Sequence, residues 1–330
     1  MKKLFLSAAA LLLAATAASA AFRAEPVADA REGETTFGLA VDFTSLEGRA
    51  REHVFSPKAE SADYADEFGV PDDGRRHRLS RLDWDMESVG MLGLKGSARR
   101  SLFSLNLGGW IGAGGEGDMK DYDWFDGDDR PYTDYSRSDT EVTLAWMLDA
   151  NLSADLFRND AFTASAFAGF RVQHWEWECD GHNDYWYSDF DHKWVHDRGH
   201  VCDYEQELRF AYLGLSGTWT FAPDFDLSGY FFWAPAYEGE ATDEHLVAEK
   251  TYDDDFGYDD GNVFGAGLEL AWHVSGNSTL AFAVDWQKAT LHEGDFSLDD
   301  YGTGEKYEGK DAAGLQNEYA TATFSYRYAF

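Results

Sequence analysis

The chain has 330 residues, with 27 Lys and Arg against 61 Asp and Glu, a formal charge of −34 at pH 7. That acidity excludes nucleic acid as a partner and argues against docking on anionic lipid, because both are held by clustered Lys and Arg. Aromatic residues make up 16% of the chain, which excludes a disordered polyelectrolyte.

The first element is a leader. Lys2 and Lys3 precede an apolar stretch from Leu4 to about Ala15, and Ala18-Ser19-Ala20 forms a small-residue cleavage box. This predicts a cleaved secretory signal over residues 1–20 and a single mature domain over 21–330. Loss of the two lysines leaves 25 basic against 61 acidic residues, or −36. No later run approaches the ~20 apolar residues of a spanning helix, so membrane insertion is expected through strands.

Period-two alternation recurs from there to the end. Phe37, Leu39, Val41 and Phe43 alternate with small or polar residues, as do Phe324, Tyr326, Tyr328 and Phe330. Ten such segments lie near 35–47, 79–95, 101–113, 139–153, 161–178, 203–221, 225–241, 262–275, 278–293 and 316–330. The connections alternate in length. Those near 96–100, 154–160, 222–224 and 276–277 are short; those near 48–78, 114–138, 179–202, 242–261 and 294–315 are long and acidic.

A secreted all-β domain has no reason to put every long loop at one end, whereas an outer-membrane barrel does. The expectation is an all-β, ten-stranded antiparallel transmembrane barrel in a bacterial outer membrane, with long extracellular loops and aromatic girdles including rings at 219, 233, 272 and 286. Ten strands enclose a narrow lumen, and inward Asp, Glu, Arg and Gln would fill it, which excludes a general diffusion porin. Function is expected at the outer mouth.

Cys179 and Cys202 lie 23 residues apart in one outer segment that also carries His182, His192, His196 and His200. A loop-bracing disulfide fits an exported protein; a metal site is the alternative, although the spacings match no standard zinc pattern.

Two outer segments could carry chemistry: Asp121-Tyr122-Asp123-Trp124 and Asp243-Glu244-His245. In an extended chain, residues two apart share a face, so Asp121 points with Asp123 and Asp243 with His245. The segments sit four strands apart in the ring, nearly opposite across the mouth. A carboxylate-held His can deprotonate water, and one of two close carboxyls can keep a proton to polarise a carbonyl or protonate a leaving amine. No loop offers a convincing Ser or Cys nucleophile. With so many acidic residues, solvated acidic loops give the same spacings by chance.

The segment Met119-x-Asp121-x-Asp123-Trp124 resembles the aspartate-pair stretch of the omptins, outer-membrane endopeptidases of Gram-negative bacteria. Thr133-Asp134-x-Ser136-Arg137 follows at a similar distance, and Asp243-Glu244-His245 resembles the family's dyad. Leu82-Asp83-Trp84, Tyr212-Leu213-Gly214-Leu215 and Ala313-Gly314-x-x-Asn317 echo framework positions, so the likeness runs from about residue 36 to the C-terminus.

The resemblance implies that Asp243 orients His245, that His245 is the general base, and that Asp121 and Asp123 bind and polarise the scissile group. It also implies cationic peptides or proteins as substrates and cleavage between basic residues, with Glu52 lining the pocket. A second pocket acid is expected two residues before Asp243, where this chain has Ala241; Glu238 or Glu240 could compensate. Many omptins also require lipopolysaccharide. The corresponding strands here carry Phe170, Val172, His174 and Glu207, which do not match the family's basic and aromatic set, so lipopolysaccharide stays open as a cofactor only through binding elsewhere on the barrel, and the expected contact is with outer-membrane lipid. The competing function is a catalytically silent barrel acting as an adhesin or binding protein.

Overall fold

A computed structural model describes residues 35–56, 77–124, 132–188, 193–195 and 199–330, with only the backbone of 181–188 and 193–195. The leader and the segment 57–76 lie outside the described residues, as do the side chains of His182, His192 and His196.

Regular structure among the described residues is entirely β: β1 (Thr35–Phe55), β2 (Arg78–Arg100), β3 (Phe103–Ala113), β4 (Glu116–Asp123), β5 (Asp134–Arg158), β6 (Phe162–Ser188), β7 (Lys193–Val195), β8 (His200–Ala222), β9 (Phe225–Ala234), β10 (Glu238–His245), β11 (Lys250–Phe256), β12 (Val263–His273), β13 (Ser278–Asp300) and β14 (Glu305–Ala329). β3 with β4, β9 with β10, and β11 with β12 each form one interrupted stave, and β7 is a short ribbon on β6. Ten staves result. β1 pairs antiparallel with both β2 and β14, and β6 pairs with β8, so the ten staves close into a ring.

The expected ten strands and their loop parity hold, as do most boundaries at the short-turn end, but toward the mouth the strands overrun the expected bounds. The stretches read as long loops are largely strand: β1 runs to Phe55, β4 occupies 116–123, β11 occupies 250–256, and β13 and β14 extend through 300 and 305. Above the membrane both faces of a strand meet water or polar groups, so the apolar alternation that marks a strand in sequence disappears while the hydrogen-bond ladder continues.

The apolar band occupies the lower half. Phe37, Leu39, Val41 and Phe43 on β1 face outward beside Phe324, Tyr326 and Tyr328 on β14, while Asp42, Thr44, Thr323 and Ser325 are buried inside. Trp219 and Trp272 lie beside the short turns, and Trp233 and Trp286 lie near the opposite rim, all four exposed as girdle residues. Trp233 is eight residues above Phe225 on β9, about 26 Å of strand, which when tilted spans most of the ~25 Å apolar band.

A polar plug fills the lumen at band level. Arg171 donates from Nε to Asp149 Oδ2 at 2.8 Å and from a terminal nitrogen to Gln287 Oε1 at 2.9 Å. Gln287 donates to Gln173 at 2.8 Å, and Tyr212 Oη donates to Asp149 at 2.8 Å. Arg171, Asp149, Gln287, Gln173 and Tyr212 thus partner one another inside the barrel, as a lumen without bulk water requires. Above the plug a hydrophobic floor follows, in which Trp84 stacks on Tyr204 at 4.4 Å between ring centroids, with Trp175 and Trp177 also buried. The cleft opens above this floor.

Candidate active site

Both functional segments ride on strands whose inward face changes parity just below them. On β3, even-numbered residues such as Asn106 and Trp110 point inward; on β4, Met119 is buried inside, so odd-numbered residues do. The change falls at Gly114 and Gly115, with φ of 75° and 107°. A Cβ on Gly115 would lie 2.7 Å from the Glu87 carbonyl oxygen, so this bulge needs glycine. Without the bulge, Asp121 and Asp123 would face outward. β9 and β10 show the same change across residues 235–237: Phe232 and Ala234 are inward below, Ala241 and Asp243 above.

Asp243 is 2% exposed, and its Oδ2 lies 2.7 Å from His245 Nε2. His245 remains partly open to the cleft, and Tyr252 on β11 packs edge-on against its ring at 5.4 Å. Burial alone would lower the imidazole's proton affinity. The Asp243 charge and hydrogen bond outweigh it, aided by Asp121, and hold the pKa at about 9, while Lys250 pulls the other way. All of these groups lie above the apolar band.

Across the cleft, Asp121 Oδ1 accepts a hydrogen bond from Ser80 Oγ at 2.8 Å. Burial pushes Asp121 up to about 6, against the pull of Ser80 and of His245. Asp123 is held well above the ordinary carboxylate range by burial, then by the charge of Asp121, and Asp134 opposite it adds to the effect. Asp121 and His245 each feel the other's charge, so the two segments face one another over one site. The pair and the dyad are brought together.

Glu52 lies on the inner face of β1, 3% exposed, between Leu82 on β2 and Leu315 on β14 in the strand register. It is held well above its ordinary value first by burial, then by Asp243, Asp254 and Asp121. Ala241 is buried in the same wall. Glu238 and Glu240 do not compensate for it. They point outward, where Arg209 spans both Glu240 oxygens at 3.2 Å and lies 3.8 Å from Glu238. The residue missed by sequence is Asp254, which pairs with Ala241 across β10 and β11 and is buried inside. Within Asp253-Asp254-Asp255 it reads as one of a solvated acidic run, and only the alternation singles out its middle member.

Cys179 and Cys202 are bridged as direct cross-strand partners on β6 and β8. His200 instead bonds Asp203 at 2.6 Å. Among the described residues, the group whose donor atoms could gather on a metal is His174, Glu176 and Glu205, within 4.8 Å of one another on the outer wall, away from the cleft. His174 stacks on Trp146 and bonds Glu176 at 2.8 Å, and the neighbouring Glu207 accepts from Arg209 at 2.6 Å. Phe170 faces the lipid. This wall presents carboxylates to the headgroup level, not a pair of cations for phosphate.

A closed ten-stave barrel with a greasy belt and a polar cleft above it is an outer-membrane barrel. A profile of the omptin family matches residues 34–330, and the chain belongs to that family. It is 27% identical over 260 residues to the plasminogen activator of Yersinia pestis, covering 77% of this chain and 81% of that protein. Its fold is that of the outer-membrane protease OmpT from Escherichia coli, with a TM-score of 0.76 at 22% identity over 94% of this chain and 99% of the other. The protein is therefore an outer-membrane protease whose cleft faces the extracellular side.

Proposed function

We propose that this protease is an endopeptidase in which His245, held by Asp243, deprotonates a water molecule that attacks a peptide carbonyl. The observation that carries the reading is the 2.7 Å contact between His245 and a buried Asp243 on the cleft face. The dyad's charge relation follows from it: the carboxylate fixes which imidazole nitrogen is engaged and stabilises the imidazolium formed when water gives up its proton.

Asp121 and Asp123 supply the second half. Both are raised, and the charge of Asp121 disfavours ionisation of Asp123, so the pair gives up its protons less readily than isolated carboxyls do. A protonated carboxyl can donate to the carbonyl oxygen as the hydroxide adds at carbon; as the C–N bond breaks, the carboxylate recovers that proton from the collapsing intermediate's hydroxyl, and the His245 imidazolium passes the proton it took from water to the leaving amine. Ser80 orients the pair through its bond to Asp121. Cationic peptides or exposed basic loops are the substrate class supported by the −34 charge and by Glu52, because a negative mouth concentrates such chains at low ionic strength. Residues 1–20 serve as the export signal, so the mature protein should begin at Ala21 on N-terminal sequencing.

The test is cleavage of a basic peptide library by refolded protein beside His245→Ala and Asp121→Ala, with folding checked by heat-modifiable migration. Both variants should lose at least about 10²-fold in rate, the contribution typical of a positioned base. Cleavage by His245→Ala at the wild-type rate ends the mechanism.

A further inference from the structure

On the outside of the barrel, β6 and β8 set two cross-strand pairs side by side: His174 opposite Glu207, and Glu176 opposite Glu205. Their chain neighbours Trp175, Trp177, Tyr204 and Gln206 are buried inside, so these four side chains share the outer face, above lipid-facing Phe170. Like charges directly opposite one another destabilise a sheet, so Glu176 facing Glu205 calls for a cation. Arg209 does not supply it, being taken up by Glu207 at 2.6 Å and by Glu240 at 3.2 Å. Among the described residues, no Lys or Arg forms an ion pair with Glu176 or Glu205.

The group that stands with these carboxylates is an imidazole. His174 Nε2 lies 2.8 Å from Glu176 Oε1, and one donor atom each from His174, Glu176 and Glu205 falls within 4.8 Å of the others. Ligands of a tetrahedral zinc ion sit about 3.3 Å apart, so small side-chain rotations bring the three onto one ion. The ring is also set as metal-bound rings are. Its face stacks on Trp146 at 5.4 Å between centroids, and its Nδ1 is sealed from solvent with no hydrogen-bond partner. Facing Nδ1 at 3.6 Å is Oε2 of Glu207, a carboxylate that Arg209 holds in place. With a metal on Nε2, the ring's proton sits on Nδ1 and points at that carboxylate, which fixes the tautomer and strengthens the ligand. One cation thus answers both the opposed carboxylates and the buried nitrogen.

We propose that His174, Glu176 and Glu205 bind a divalent transition-metal ion on the outer wall between β6 and β8, with Glu207 orienting the histidine. One imidazole nitrogen and two carboxylate oxygens suit Zn²⁺, with water in the fourth position of a tetrahedral site. The two ligand carboxylates balance the ion's charge, which turns their mutual repulsion into a link between strands. That link braces the same two strands that Cys179 and Cys202 join further up. The site lies on the outer face of the wall, away from the cleft, so it stands whether or not His245 is the base.

The experiment is calorimetric titration of Zn²⁺ into refolded, EDTA-treated His245→Ala protein, in which the dyad no longer competes for the ion. One saturable site is expected. Adding Glu207→Gln should weaken it about 10- to 100-fold, the usual effect of losing the partner of a ligand histidine. Loss of a ligand, in His174→Phe or Glu205→Gln, should weaken it further still. Phenylalanine keeps a ring against Trp146, and Glu205 is exposed, so Glu205→Gln decides the matter if His174→Phe fails to refold. In the same background zinc should raise the melting temperature, and with Glu205→Gln it should not. X-ray absorption should show one nitrogen at about 2.0 Å from the bound zinc, with oxygens completing the shell. No saturable binding overturns the site, as does zinc coordinated by oxygens alone. So does an affinity that Glu205→Gln leaves unchanged while His200→Ala abolishes it, because His200 bonds Asp203 on the neighbouring surface.

Discussion

His245 and Asp243 share the inner face of β10 with Nε2 and Oδ2 2.7 Å apart, and this contact sets the imidazole's proton affinity against the effect of burial. With a pKa of about 9, the ring is mostly charged at pH 7, and only its neutral form can accept a proton from water. We therefore expect kcat/KM on peptides to climb between pH 6 and pH 9. Asp243→Asn should move the midpoint of that limb down toward the ordinary histidine value while lowering the plateau. A rate that is flat or falling across this range would contradict His245 as the base. The same shift acts on stability: the raised folded value means that the pair stabilises the fold below the unfolded pKa of ~6.5, and that this is lost as pH rises through about 9.

Lys250 gives an independent handle on the same group. It is the cross-strand partner of His245, and its charge lowers the imidazole's proton affinity. Removing that charge in Lys250→Gln should raise the midpoint of the alkaline limb and slow cleavage at pH 8, with the rate at pH 10 little changed. The pH profile of kcat/KM for the single variant decides it; a midpoint that stays put would show that the lysine does not act on the dyad.

The barrel was legible in the sequence because lipid imposes an alternation that survives in residues such as Phe37 to Phe43 and Phe324 to Phe330. The candidate site was legible through short motifs, and its geometry was not. Asp121 reaches the cleft only because Gly114 and Gly115 reverse the inward face between β3 and β4, and counting by twos from Trp110 would have turned it outward. β2 makes a similar switch at Ser88, whose φ is 58°: Met91 and Val89 are buried below it, Met86 and Trp84 above. Such bulges cluster at barrel rims, where they re-aim side chains, and they leave little trace in composition. Asp254 escaped notice for a different reason. Its contact with Ala241 depends on register between β10 and β11, which no local pattern reports.

Glu52 and Asp254 should each cost stability in proportion to their burial. Each holds its proton more tightly in the folded protein than in the unfolded chain, so each costs stability once pH rises above the unfolded carboxyl value and the groups ionise. Glu52→Gln removes that cost. Its melting temperature in detergent should exceed the wild type's at pH 8 and equal it at pH 4, where both carboxyls are protonated. A variant that melts lower than wild type at pH 8 would mean that Glu52 is structurally paired, not poised for a ligand.

The disulfide acts on the site through strand register. Cys202 is the cross-strand partner of His245 on β8, and Cys179 pairs with Cys202 from β6, so the bridge ties down the strand beside the dyad. In the unfolded chain, a loop of 23 residues closed by a disulfide is worth about 3 kcal/mol of lost entropy. In the folded barrel the ten staves are fixed by their hydrogen bonds and by the lipid, so the effect of losing the bridge should concentrate at the mouth. Both cysteines are buried, which makes the double Cys179→Ala, Cys202→Ala variant a cleaner probe than a reductant. It should still refold to a heat-modifiable barrel, cut peptides several-fold more slowly, and exchange the amide hydrogens of β8 above Tyr204 faster than wild type. Unchanged exchange together with unchanged kcat would show that β8 needs no brace to hold its neighbour His245 in place.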